Sequence, residues 1–185
     1  MNIYFCGMIG SGKTTIGERV AEALGLRFLD LDREMDGRLG YSFHRLVAEK
    51  DWLAFRELEY SICKHFAAQN DAIVCLGGGT VRYEWNTDLL KPTGIFILFE
   101  ASVEALIDRV RAADRPRVNK DTSLEDDIRL MWENEKPKYY AAADIVYRTD
   151  EKAIEKETEE VADIILHDPR FSALRLGAGA KGRSP

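Results

Sequence analysis

Gly7-Met8-Ile9-Gly10-Ser11-Gly12-Lys13-Thr14 puts three glycines, a lysine and a hydroxyl side chain at the spacing that suits a polyphosphate. Glycines let successive backbone N–H groups curl around phosphate oxygens, and a following helix adds the positive end of its dipole. Lys13 can then reach the β and γ oxygens, while the Thr14 hydroxyl can ligate Mg²⁺. Gly10, Ser11, Gly12, Lys13, Thr14 and the adjoining Thr15 are therefore the candidate nucleotide contacts. A turn of purely structural purpose needs no lysine followed by a hydroxyl residue. The motif selects a nucleotide triphosphate and the chemistry of phosphoryl transfer, but GTPases, motor ATPases and metabolite kinases share it.

Three further clusters bear on the acceptor. Asp30-Leu31-Asp32 closes a short apolar run, and alternation along an extended strand would point both carboxylates toward the crevice where ligands collect in open α/β sheets. The plainer reading of such a pair is a solvated loop or a helix cap. Gly77-Gly78-Gly79 follows another apolar run, and three glycines in a row suit a ligand or a second backbone coming very close, or else a flexible turn. Phe55-Arg56 with Glu59 would place a guanidinium at the same crevice, oriented by an i, i+3 contact; the alternative is an ordinary solvated helix face.

These residues need a scaffold. Short β-rich runs at 3–6, 27–29, 72–76, 94–99 and 144–147 alternate with helical segments at 14–24, 53–68, 124–140 and 151–166. That alternation predicts an α/β fold, a parallel sheet covered on both faces. In 14–24, Ile16, Val20, Ala21 and Leu24 share one helical face and Gly25 supplies the stop. Residues 112–123 mix charges with Pro116 and lack an apolar period, as a lid loop would. Residues 1–167 read as a single domain and 168–185 as a flexible tail with little to bury.

Composition narrows the partners. At 185 residues, 45% of them apolar, the chain can bury one good core. A net charge of −6 provides no basic field for nucleic acid, and no apolar run approaches the roughly 20 residues needed to span a bilayer. The start of the chain lacks a basic n-region or cleavage site. Cys6, Cys63 and Cys75 form an odd set without metal-ligand spacing, which fits buried thiols and a reducing, cytoplasmic setting. The expected state is a monomer.

The order of these motifs resembles the shikimate kinases: the P-loop, the Asp-x-Asp pair, Phe-Arg, the glycine triplet, Arg115-Pro116 and the Pro137-x-Tyr139 all fall in the family's sequence over residues 2–166. The resemblance implies a three-layer P-loop fold with a five-stranded parallel sheet in order 2-3-1-4-5, a substrate-binding segment near 42–69 and a lid near 112–123. It implies transfer of the γ-phosphoryl group of ATP, with Mg²⁺, to a hydroxyl of shikimate. By the same resemblance, Lys13, Asp32 and Arg115 would be catalytic and Asp30, with Thr14, would serve the metal. Asp32, Arg56, Gly78 and Gly79 would bind substrate, and Arg109 and Arg115 would attend the nucleotide.

The chain departs from the family two residues before Pro137, where a second carboxylate-binding arginine is expected and Glu135 stands. A carboxylate there would repel the substrate's, which leaves Lys136 to take the role. Cys75 likewise replaces a small hydroxyl residue, and Trp52 an acidic one. These departures keep two alternatives open: a related kinase for another small hydroxylated metabolite, or a nucleotide-binding regulator without turnover.

Overall fold

The structure is a computed structural model that describes residues 1–111, 119, 121–149 and 152–176. Five strands, β1 (Asn2–Cys6), β2 (Arg27–Asp30), β3 (Ala72–Cys75), β4 (Gly94–Glu100) and β5 (Ile145–Arg148), form one parallel sheet in the order β2-β3-β1-β4-β5. β1 is buried along its whole length because it lies mid-sheet, and its alternate residues feed two cores. Ile3 and Phe5 enter one with Ile73, Ile97 and Phe99; Tyr4 and Cys6 enter the other with Val74, Phe96 and Leu98.

Helices close both faces. α1 (Lys13–Leu24) buries Ile16, Val20, Ala21 and Leu24 and stops at Gly25, which is in the left-handed region with φ 64°, as expected. The ends of α4 (Trp52–Ala67), α7 (Leu124–Ala142) and α8 (Ile154–His167) fall within a few residues of the expected helices. Three shorter helices are not apparent from periodicity, α2 (Leu31–Leu39), α3 (Phe43–Glu49) and α5 (Glu84–Leu90), and a fourth, α6 (Val103–Val110), is amphipathic but only eight residues long. α2 explains why, since among its polar residues only Leu31 and Met35 are buried. Side-chain caps define it and its neighbours instead: Asp30, Ser42, Asp51, Ser102 and Ser123 each accept a backbone N–H of the first turn.

Two expectations change. Asp30 ends β2 and Asp32 already lies in the first turn of α2, so strand alternation does not relate their carboxylates. The tail is partly structured: Pro169–Phe171 form a 3-10 turn, Phe171 is buried, and Leu174 and Leu176 pack on the core under α8. Residues 177–185 lie outside the described residues, as do 112–118 and 120 of the expected lid.

Candidate functional site

The turn from β1 into α1 builds the phosphate end of the site. Gly7 has φ 146° and a Cβ there would overlap the Phe99 carbonyl oxygen, so only glycine lets the loop leave β1 beside β4. Ser11 N–H donates to the Met8 carbonyl at 3.2 Å, and Lys13 Nζ lies 3.3 Å from the same oxygen, folding the lysine back over the loop. Thr14 Oγ1 donates to Asp30 Oδ2 at 3.1 Å. This hydroxyl–carboxylate pair is the hard-oxygen donor set that suits Mg²⁺ held mainly by phosphates and water. Arg109 of α6 donates to the Gly10 carbonyl at 3.2 Å and to Thr149 Oγ1 at 3.2 Å, and Thr149 in turn donates to the Ser11 carbonyl at 3.1 Å. The loop is thus pinned from the sheet's far side.

The acceptor end is built around the glycine triplet. Glu59, 1% exposed, accepts from Arg56 Nη1 at 2.8 Å, from Thr80 Oγ1 at 2.9 Å and from Asn86 Nδ2 at 3.2 Å, so its charge is paired and hydrogen-bonded as burial demands. The i, i+3 contact expected on α4 is present. The Arg56 guanidinium lies among the Trp52, Phe55 and Tyr83 rings, 5.5, 4.6 and 4.7 Å from their centroids, which fixes its plane. A Cβ on Gly79 would come 3.1 Å from Arg56 Nη2, and one on Gly77 3.3 Å from Asp32 Oδ1. The glycines therefore let both polar groups close on the turn. From below, the buried Tyr139 hydroxyl donates to the Gly78 carbonyl, and burial holds that phenol well above its usual range. Tyr139 is the residue that Pro137-x-Tyr139 delivers.

Both ends open into one cavity of about 560 Å³, a volume suited to small ligands. It brings together Gly10, Gly12, Lys13, Thr14, Thr15, Asp30, Asp32, Arg56, Gly78, Gly79 and Arg109. The Ser11 side chain is buried beneath the loop instead, and Ser11 does not line the cavity. Lys136 is not brought in either: it is exposed, with Nζ 5.6 and 5.7 Å from the Trp132 and Tyr140 rings. Arg115 lies outside the described residues.

The family model for shikimate kinase matches residues 9–167. A shikimate kinase of Chlorobium luteolum is 35% identical over 167 residues, covering 86% of this chain and 82% of the relative. The chain belongs to the shikimate kinase family. Among solved structures, shikimate kinase from Acinetobacter baumannii in complex with shikimate superposes with a TM-score of 0.84 at 27% identity, covering 91% of this chain and 94% of that one. The shikimate kinase of Aquifex aeolicus gives 0.79 at 25% identity, covering 92% and 99%. Family membership carries with it an ATP-dependent kinase that uses Mg²⁺, and the Thr14–Asp30 pair fits that ion.

Against the family pattern, Glu135 resolves differently from expectation. It does not line the cavity; it lies behind Arg82, with Oε1 2.6 Å from Arg82 Nε. Burial works against the Arg82 charge, but Glu135 outweighs it and holds the guanidinium above its usual range. The Glu135 carboxylate thus meets Arg82 rather than the cavity. The Cys75 thiol donates to the Lys13 carbonyl at 3.1 Å. Thr80, Arg82 and Asn86 carry no local signal, because the short turns after the triplet bring them in and their partners are distant in sequence.

Proposed function

We propose that this protein transfers the γ-phosphoryl group of ATP to a hydroxyl of shikimate, giving shikimate 3-phosphate on the route to aromatic amino acids. One observation carries the reading: a single cavity has the phosphate loop at one end and, at the other, a carboxylate, Asp32, beside a guanidinium, Arg56, and a glycine turn. Arg56 holds the substrate carboxylate, and Gly78 and Gly79 admit its ring. Asp32 accepts the hydroxyl proton as the oxygen attacks in line. Lys13 balances charge on the transferring group, and Thr14 and Asp30 would hold Mg²⁺, which when bound would supply charge neutralisation at the phosphate oxygens. Arg115 joins Lys13 there, by the family resemblance, and Arg109 flanks the base. Positioning and charge neutralisation supply most of the rate.

The test is ADP release over a panel of hydroxy acids and polyols. Shikimate is the best acceptor, and Asp32→Asn cuts kcat by orders of magnitude while ATP titration by calorimetry is unchanged. Better turnover of a carboxylate-free polyol, or a loss in Asp32→Asn under about fivefold, roughly 1 kcal/mol of barrier, contradicts the reading. Among the described residues no helix is long and apolar enough to cross a membrane. We place the enzyme in the cytoplasm as a monomer, a reading that the three free, buried cysteines support as to compartment.

A further inference from the structure

Arg82 is the feature that the family roles leave unused. It follows the glycine triplet in the 3-10 turn Thr80–Arg82, and its N–H donates to the Gly79 carbonyl at 3.1 Å, so its backbone is fixed to the turn that Arg56 touches. Its side chain is 18% exposed, lines the same cavity as Arg56, and meets Glu135, 11% exposed, through Nε. Nε and Glu135 Oε1 form an ion pair at 2.6 Å, and among the described residues the buried Glu135 Oε2 makes no hydrogen bond. The cavity thus has two guanidiniums, Arg56 backed by Glu59 and Arg82 backed by Glu135, on either side of Gly79.

A buried carboxylate behind Nε does more than neutralise. With Nε turned to Glu135, the Nη groups are the donors left for a ligand, and such groups can meet a carboxylate with parallel N–H bonds. Two guanidiniums lining one cavity are poorly matched to a neutral polyol, whose hydroxyls cannot satisfy both charges, and well matched to an anionic oxygen pair. Resting on shikimate kinase activity, we propose that Arg82 is a second carboxylate-recognising residue of the acceptor site, held by Glu135 as its positioning residue, and that this pair sets the preference for an acidic acceptor.

The test is steady-state kinetics with shikimate and with a hydroxylated ring lacking the carboxylate. Arg82→Ala raises KM for shikimate roughly tenfold to a hundredfold, leaving kcat, KM for ATP and KM for the neutral ring within about threefold. Removing Arg82 leaves Glu135 buried without its partner, so Arg82→Met with Glu135→Met, which replaces the pair by apolar side chains, is measured beside it and shows the same KM pattern in a folded enzyme. Glu135→Arg sets two like charges together and raises KM for shikimate as well. KM for shikimate within twofold of the parent in both the Arg82→Ala and paired Met variants overturns the proposal, as does a lower KM in Glu135→Arg. So does an equal rise for both acceptors. If the parent enzyme fails to phosphorylate shikimate, the function and this proposal fall together; if it succeeds and Arg82 is silent, only this proposal falls.

Discussion

Asp30 accepts the Arg33 amide through Oδ1 at 3.0 Å and the Thr14 hydroxyl through Oδ2 at 3.1 Å. One carboxylate therefore caps α2 and holds the phosphate-loop hydroxyl, the pair proposed to serve the metal. The two roles separate by substitution, because asparagine caps as well as aspartate but brings no charge. Asp30→Asn should leave thermal unfolding nearly unchanged while raising the Mg²⁺ needed for half-maximal rate severalfold; Asp30→Ala should show the same Mg²⁺ effect and also lose about 1 kcal/mol of stability. Melting curves with a Mg²⁺ titration check both, and an unchanged Mg²⁺ dependence would leave Asp30 as a cap alone. The P-loop residues were legible in sequence because their spacing is local and each type has one use. Glu135 stood out in sequence, but its pairing with Arg82 did not, since a contact between the turn after β3 and the middle of α7 leaves no periodic trace.

At the scale of elements, the glycine triplet shows how one turn serves two neighbours. Its open side admits Arg56 and Asp32, while its inner side is held by the Tyr139 hydroxyl from α7. Tyr139→Phe leaves the Gly78 carbonyl without that donor at a cost of about 1–2 kcal/mol, a fall of roughly 2–8 °C in Tm. Loosening the turn should also raise KM for the acceptor and spare KM for ATP, which separate saturation curves measure. A rise in KM for ATP alone would show that the turn braces the phosphate loop instead. The alternation of strands and long helices along the chain was legible in their apolar patterns, whereas the sheet order came with the family resemblance. Periodicity missed α2, α3 and α5, which lack a long apolar stripe, and α6, whose stripe of Leu106, Ile107 and Val110 belongs to a helix of only eight residues.

Across the whole molecule, the sheet divides the core in two, and all three thiols are buried, Cys6 and Cys75 facing opposite sides of it. Burial pushes Cys6 up to about 12 and raises Cys63 and Cys75 as well. A thiol in the unfolded chain titrates near 8.5. Their contribution to stability is therefore complete below about pH 8.5 and is lost as pH rises toward the folded values. Tm should fall between about pH 9 and 11, less steeply in Cys6→Ala, and a thiol reagent at pH 8 should find no reactive cysteine before unfolding. A flat alkaline profile with prompt native labelling would contradict the burial. The destination of the phosphoryl group decides the assignment most directly. ATP labelled in its γ-phosphate, incubated with Mg²⁺, shikimate and the enzyme, should yield label on the shikimate ring in step with ADP, and Lys13→Ala should abolish that transfer while unfolding within about 1 kcal/mol of the parent. Label recovered only as inorganic phosphate, or a folded Lys13→Ala that still labels shikimate at a near-normal rate, would contradict it.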